Sequence, residues 1–149
     1  MGFVIRKAEE GEEERVLAMY EWLFAPPGSR PRRWDPDKAR PRLSGAIASP
    51  RGAILVAEDR GAMIAFCTAY LELDSVRHGQ RCWVEDFAVD PQQRSEGVGA
   101  ALLNAVKQWA WRAGATHLEL DSALARADAH RFYEREGGTR QSYTFGWEL

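Results

Sequence analysis

The fold is decided by residues 81–103, which read RCWVEDFAVDPQQRSEGVGAALL. Residues 81–89 have strand character, which Pro91 ends. From Val98 to Trp109 apolar residues then recur at helical spacing, and Gly114 closes the helix. The stretch therefore predicts a strand that leads through a glycine-rich turn into a helix.

The rest of the chain predicts a mixed α/β domain around this unit. Before it we expect a strand at Phe3–Lys7, a helix at Glu10–Phe24, a proline-rich loop at Ala25–Trp34, and a hairpin made of the strands Gly52–Glu58 and Ala62–Asp74. After it we expect a strand at Thr116–Ser122, a helix at Ala127–Glu136 and a last strand at Ser142–Leu149. The crossover that follows the glycine-rich turn should join parallel neighbours.

A second helix after the proline-rich loop can begin at two places. Asp35 and Pro36 are a typical cap and first helical residue. Pro41 would interrupt such a helix early, which would confine it to residues 42–49. Both starts stay open at the level of the sequence.

Composition and charge limit the function classes. The 149 residues are 45% hydrophobic and 28% charged, which predicts a single domain over residues 1–149. A net charge of −2 offers no basic surface for nucleic acid. No window approaches the roughly 20 apolar residues of a spanning helix, and no apolar leader precedes the first strand. We therefore expect a soluble, cytoplasmic protein that has neither nucleic acid nor membrane as a partner.

Neither the cysteines nor the histidines predict a reactive or metal site. Cys67 and Cys82 lie in strand-like runs without the spacing of a zinc or redox pair, so we expect buried, reduced thiols. His78 and His117 have no partner at metal-ligand spacing, and no metal is assigned.

The glycine-rich turn is the candidate anion site. A turn from strand into helix leaves the first helical amides unpaired, and these amides can bind anionic oxygens. The turn holds Gly97 and Gly99, which allow close approach of the backbone, and Arg94, whose guanidinium suits phosphate. No Gly-Lys-Ser/Thr follows, so the turn is not a P-loop, and it comes too late in the chain for a dinucleotide fold. Taken alone, the two glycines fit close packing as well as phosphate binding.

Strand, turn and helix together resemble the GCN5-related N-acetyltransferase family. The family's strand, Gln/Arg-x-x-Gly-x-Gly/Ala turn and helix are matched by Val84–Pro91, Arg94–Gly99 and Ala100–Leu103. Asp128–Gly137 resembles the family's late Ala-x-x-Phe-Tyr-x-x-x-Gly helix. The resemblance covers roughly residues 3–149. It implies an α/β fold with a mixed central sheet of about six to seven strands, largely antiparallel with a parallel splayed pair, flanked by about four helices.

The resemblance implies acetyl-CoA as the cosubstrate. In the family the pantetheine arm adds like an extra strand to the splayed end of the fourth strand, which here offers the main chain of Phe87, Ala88 and Val89. The pyrophosphate would be held by backbone amides of the turn, namely those of Arg94, Ser95, Glu96, Gly97, Val98, Gly99 and Ala100.

A carboxylate on the fourth strand is the candidate base for the attacking amine. Strict alternation puts Glu85 and Asp86 on opposite faces, with Phe87 on the face of Glu85, so we expect only one carboxylate to face the cleft. The resemblance favours Glu85, because relatives often place an acid four residues before the strand's closing valine. Asp86 stays the alternative.

Tyr133 is the candidate acid. Ala129 lies one turn earlier on the same helical face and leaves room for the coenzyme's sulfur. The resemblance implies that this tyrosine donates a hydrogen bond to the leaving thiolate. Relatives often have Asn seven residues earlier, where this chain has Arg126, so no side-chain contact to pantetheine is assigned there.

The late stretch of residues 122–145 resembles small-amine acetylating members such as aminoalkylphosphonate acetyltransferases. We therefore expect a small-molecule amine as the acceptor, with direct attack in a ternary complex because no cysteine or serine lies in a nucleophile setting. Trp34, in the proline-rich loop, could line the acceptor pocket. A non-catalytic CoA-binding sensory module and a protein N-acetyltransferase stay open as alternatives. Exposed sheet edges near the C-terminus would permit a homodimer.

Overall fold

The computed structural model describes residues 2–149, and its strands lie side by side in chain order in one five-stranded sheet. The strands are β1 (Phe3–Lys7), β2 (Gly52–Asp59), β3 (Ala62–Leu71), β4 (Arg81–Val89) and β5 (His117–Glu119). The first four pair antiparallel, and β5 runs parallel to β4. The predicted α/β class and the mixed, largely antiparallel sheet are confirmed.

Four α-helices cover the two faces of the sheet. They are α1 (Glu13–Phe24), α2 (Pro36–Ala48), α3 (Val98–Arg112) and α4 (Ala127–Arg135). One apolar layer packs α1 and α2 against the sheet, with Val16, Leu43 and Phe66 at its centre. The other layer packs α3 against the opposite face, with Leu102 and Val106 fully buried. Burial of these two layers in close packing is the main stabilising contribution to such a fold.

Helix α2 begins at the earlier of its two possible starts. The side chain of Asp35 caps it, since Oδ1 accepts a hydrogen bond from the amide of Asp37 at 2.9 Å. Pro36 takes the first helical position, where a missing N–H costs nothing. Pro41 lies inside the helix without ending it. A good cap and buried contacts through Leu43 therefore outweigh the loss of one backbone hydrogen bond.

The predicted last strand is wrong. Residues 142–149 form no strand, and the predicted six to seven strands become five. Within the described chain no backbone–backbone hydrogen bond joins residues 139–149 to another segment. The neighbouring edge is short as well, because β5 ends at Glu119 rather than at the predicted Ser122. An alternating apolar pattern needs a strand edge to pair with, and β5 offers only three residues.

Strand β4 contains a β-bulge at Glu85. Thr68 of β3 lies opposite Asp86, while the next residue, Ala69, lies opposite Val84. Glu85 is therefore the extra residue that has no partner in the register.

The bulge reverses the alternation of β4, so the predicted assignment of faces is wrong. Before the bulge, Cys82 and Val84 point into the layer under α3, and after it Phe87 packs against that same layer. Ala88 belongs to the layer under α1 and α2. Glu85 and Asp86 consequently share the face that carries α1 and α2, because an inserted residue shifts the side-chain pattern by one position.

Both cysteines are free and buried, as predicted. Burial raises the pKa of the Cys82 thiol to about 11 and that of Cys67 to about 12. Along residues 2–149, no helix combines the length and the apolar character needed to cross a membrane.

Candidate functional site

A cleft of about 630 Å³ opens on the face of the sheet that carries α1 and α2. Its walls come from these two helices, from the end of the proline-rich loop and from strands β3 and β4. Glu85 and Asp86 both line it, so the bulge brings together two carboxylates that strict alternation would separate. Trp34 lines the cleft too, which is the position expected for it.

Asp86 is held in a fixed orientation. The hydroxyl of Tyr20 donates to Asp86 Oδ2 at 2.7 Å, and the hydroxyl of Thr68 donates to the same oxygen at 2.7 Å. Burial, reinforced by the charge of Asp86, raises the pKa of Tyr20 far above its ordinary value, so its hydroxyl keeps its proton. Within the described chain Asp86 Oδ1 accepts no hydrogen bond. This oxygen is available to a ligand in the cleft.

Glu85 is less constrained than its neighbour. Its side chain is exposed, and Oε2 accepts a hydrogen bond from Trp83 Nε1 at 2.7 Å. Oε1 accepts no bond from any of the described residues. One carboxylate of the cleft is thus anchored by two hydroxyl groups, and the other is free to exchange protons with solvent or a ligand.

Tyr133 lies beside β4 but outside the cleft lining as far as residues 2–149 show it. Its ring packs edge-on against Phe87 at a centroid distance of 6.2 Å and against Phe132 at 5.4 Å. Burial raises the pKa of Tyr133 to about 12, while the guanidinium of Arg126 acts to lower it. Near neutral pH the phenol is therefore a proton donor. The structure brings it to Phe87, one residue beyond Asp86 on the strand that carries the two carboxylates.

Arg126 ties α4 to α1. Its Nη2 donates to the backbone carbonyl of Leu23 at 2.9 Å, and the same atom lies against Gly28 of the proline-rich loop. No pantetheine contact was assigned to Arg126 from the sequence, and its bond to Leu23 was not predicted. The link could not be read from the sequence because its two ends are 103 residues apart.

Tyr20 and Thr68 are site residues that the sequence analysis missed. Both belong to elements that were predicted correctly, and both face a carboxylate that was named only as the alternative. One signal was present, since a tyrosine on the apolar face of a helix usually finds a partner for its hydroxyl. The partner itself is set by the packing of α1 over β4.

The glycine-rich turn has the geometry of an anion site. Gly97 caps α3 in the left-handed region, with φ of 82°, and Ser95 is left-handed as well, with φ of 68°. The first amide of α3 to bond inside the helix is that of Ala101, which donates to Gly97 O at 3.1 Å. The preceding amides of Val98, Gly99 and Ala100 therefore have no helical acceptor. Residues 94–97 are exposed, whereas Val98 is buried and Gly99 and Ala100 are half-buried.

The two glycines of the turn have different functions. A side chain at Gly97 would be strained by the left-handed backbone. A Cβ at Gly99 would instead come within 3.3 Å of the Phe132 ring, so this glycine allows α4 to pack on the start of α3. Gly99 thus fits the packing alternative, and Gly97 is required by the left-handed backbone of the turn.

Strands β4 and β5 separate beside the turn. They pair only where Arg81–Trp83 faces His117–Glu119, and β4 continues to Val89 without a neighbour on that side in the described chain. Phe87, Ala88 and Val89 lie on this unpaired part. An extended ligand can add to such an edge as a strand would. A splayed edge that leads into an exposed turn, followed by amides without helical acceptors, fits a long molecule with a diphosphate group, as coenzyme A is.

Within residues 2–149 no three His, Cys, Asp or Glu side chains converge as a metal site would require. His78 and His117 approach each other, with ring centroids 5.4 Å apart, and His117 Nδ1 lies 2.8 Å from the hydroxyl of Thr116.

Known acetyltransferases are similar to this chain in sequence. The model of the acetyltransferase (GNAT) family matches residues 16–138. The chain is 34% identical over 105 residues to the uncharacterized N-acetyltransferase YhdJ of Bacillus subtilis (strain 168), a match that covers 70% of this chain and 73% of the relative. It is 37% identical over 62 residues to the aminoalkylphosphonate N-acetyltransferase of Salmonella typhimurium, covering 42% of this chain and 40% of that one.

Among solved structures, the fold is similar to that of the aminoglycoside N-acetyltransferase AAC(6')-Iy in complex with CoA. The TM-score is 0.84 at 19% sequence identity, over 99% of this chain and 94% of that chain. At this identity the likeness establishes the shared fold.

Glycine-to-alanine substitutions in the turn and in α2 should have opposite effects on stability. Gly97→Ala should lower the free energy of unfolding by about 1 kcal/mol, because alanine is strained in the left-handed region. Gly45→Ala should raise it by about 0.5–1 kcal/mol, since Gly45 lies inside α2 with open space around its Cα. Urea unfolding followed by circular dichroism measures both. A Gly97→Ala variant as stable as the wild type would contradict the left-handed backbone assigned to the turn.

Proposed function

Because the chain belongs to the acetyltransferase (GNAT) family, we propose that it transfers an acetyl group from acetyl-CoA to a primary amine of a small molecule. The chain is an acyl-CoA-dependent N-acetyltransferase. The finer parts of the proposal are the class of the acceptor and direct attack in a ternary complex. The bulge of β4 is the observation that supports them, because it sets two carboxylates in one cleft beside the splayed edge.

The residues present fit acetyl-CoA as the cosubstrate. Main-chain groups of Phe87, Ala88 and Val89 would bind the pantetheine arm along the free edge of β4. Amides of the turn from Arg94 to Ala100 would bind the pyrophosphate, assisted by the exposed Arg94 guanidinium. When bound, acetyl-CoA supplies the activated acetyl group as a thioester.

The two carboxylates have different roles in the proposal. Asp86 binds the acceptor's ammonium through Oδ1, since Tyr20 and Thr68 already occupy Oδ2. Glu85 accepts the proton that the amine must lose, directly or through a water molecule, because it is exposed and has a free oxygen. The free amine then attacks the thioester carbonyl, so that a C–N bond forms, the C–S bond breaks and the nitrogen passes its extra proton to water as the amide forms.

Tyr133 supplies the proton that the departing thiolate needs. A phenol with a pKa of about 12 is protonated near neutral pH, and it can donate to the sulfur as negative charge develops there. Its place against Phe87 sets it beside the part of β4 that would hold the pantetheine. The nearby positive charge of Arg126 favours this transfer, because it stabilises the phenolate that is formed.

A homodimer is part of the proposal. Tyr143, Phe145, Trp147 and Leu149 are between 77% and 101% exposed and alternate along the C-terminal segment. Aromatic side chains of this size each bury about 150–250 Å². The segment of one chain can therefore approach the area that each partner contributes to a standard interface, about 800 Å². In a symmetric dimer the segment of one chain would contact the same segment of a second copy. The cytoplasmic location stays a prediction.

The function and the role of Tyr133 are tested together by thiol release from acetyl-CoA in the presence of a panel of primary amines. The wild-type chain should release CoA only when an acceptor is present. Tyr133→Phe should lower kcat about 100-fold, because the phenol is lost as an acid, while calorimetry shows unchanged CoA affinity. Tyr143→Phe is the matched control, because it removes a hydroxyl outside the cleft lining and keeps the aromatic ring of the C-terminal segment. Saturable CoA binding without acceptor-dependent thiol release would contradict the proposed transfer, and an unchanged kcat would remove Tyr133 from it.

The two carboxylates are separated by their kinetic effects. Glu85→Gln should lower kcat about 100-fold with little change in KM, because proton removal is impaired. Asp86→Asn should chiefly raise the KM of the amine, because the ammonium loses its charged partner. Steady-state kinetics with an amine accepted in the panel measures both, and Glu10→Gln serves as an exposed control. The reverse pattern would exchange the two roles.

The homodimer is tested by light scattering after size exclusion. The wild-type chain should have twice the mass of one chain, and Phe145→Ser combined with Trp147→Ser should halve that mass by removing the apolar contact. Trp111→Ser, which removes an exposed tryptophan from α3, should have no effect on mass. A wild-type protein that is monomeric at micromolar concentration would overturn this part of the proposal.

A further inference from the structure

The acceptor cleft carries positive as well as negative charge. Arg42 of α2 and Arg51, which follows α2, line the same cleft as Glu85 and Asp86. In the sheet, β2 and β4 are separated by β3, so the start of β2 after Arg51 lies about 10 Å from β4. The two kinds of charge are therefore contributed by different parts of the cleft.

Arg51 is anchored but has unused donors. Its Nη2 donates to the backbone carbonyls of Leu71 at 3.1 Å and Glu72 at 2.8 Å, and lies 3.4 Å from Gln80 Oε1. As far as residues 2–149 are described, Nη1 and Nε make no hydrogen bond and no carboxylate pairs with the guanidinium. A fixed guanidinium with free N–H groups is suited to binding an anion.

Arg42 has an uncompensated charge. Its side chain is exposed and makes neither a hydrogen bond nor an ion pair with the described part of the chain. Arg40, only two residues earlier on α2, differs because it pairs with Glu14 and Asp37. On this helix the arginine outside the cleft is neutralised locally, whereas the arginine in the cleft is not.

We infer that the acceptor is zwitterionic, an amine that carries a phosphonate, phosphate or carboxylate group at the other end of a short spacer. Its ammonium meets Asp86 and Glu85, and its anionic group meets Arg42 and Arg51. Two guanidiniums that have no carboxylate partner in the described chain line this cleft, and a planar guanidinium pairs with such anions through parallel hydrogen bonds. The inference rests on the proposed amine acetylation and adds the chemistry of the acceptor's far end.

The test compares matched amines that differ in their far end. β-Alanine is paired with β-alaninamide, and 3-aminopropylphosphonate with propylamine. Thiol release from acetyl-CoA gives kcat/KM for each compound. We expect the anionic member of each pair to have a kcat/KM at least about tenfold higher, mostly through KM.

Arginine variants assign the effect to the cleft. Arg42→Gln should lower kcat/KM for the anionic amines about tenfold and leave that for the neutral-ended amines unchanged. Arg42→Lys should retain part of the preference for anionic amines, since lysine keeps the positive charge but lacks the planar set of N–H donors. Arg112→Gln, an exposed arginine of α3 on the opposite face of the sheet, should change neither series. Because Arg42 has no partner in the described chain, its replacement leaves the fold intact, which thermal unfolding checks.

The outcomes separate this inference from the function on which it rests. Equal turnover of both members of each pair, or an Arg42→Gln variant with an unchanged preference, would overturn the inference and leave the acetyltransferase proposal standing. Absence of thiol release with every amine would overturn the proposed function itself, and the inference with it. A preference for the anionic amines that Arg42→Gln removes would support both.

Discussion

The extra residue at Glu85 is the constraint on which the site depends. Without it, β4 would direct one carboxylate into the layer under α3, where a charge without a partner is costly. With it, both carboxylates reach the cleft, and Val84 and Phe87 still fill the apolar layer on the other face. The bulge thus allows one strand to fill the apolar layer and to present carboxylates to the cleft.

In the proposed reaction the same strand serves both substrates. On the face under α1 and α2 it presents carboxylates toward the acceptor cleft, and along its free edge it offers main-chain groups for the donor. Tyr133 reaches it from the face that carries α3, through Phe87. The glycine-rich turn follows directly at its end. The proposal thus positions acceptor, donor and proton donor relative to one element, an arrangement that favours precise alignment of the reacting groups.

Local sequence patterns predicted most of the fold and part of the site. The strand, turn and helix of residues 81–112 follow from periodicity and from two glycines. The cap at Asp35 follows from the dipeptide Asp35-Pro36. The bulge does not follow, because periodicity shows that a strand exists without showing where a residue is inserted. The contact of Tyr20 with Asp86 spans 66 residues, so it depends on how α1 packs on the sheet. The C-terminal segment has the alternating pattern of a strand, but within the described chain it pairs with no neighbouring strand.

The bond from Arg126 to Leu23 has a thermodynamic consequence. It joins the helix that carries Tyr133 to the helix that carries Tyr20, and it supports the loop that leads to Trp34. An acceptor that orders this loop also restrains α4, and a donor that orders α4 restrains the loop in return. By linkage, an acceptor and a donor that acted in this way would each raise the affinity of the other by the same factor.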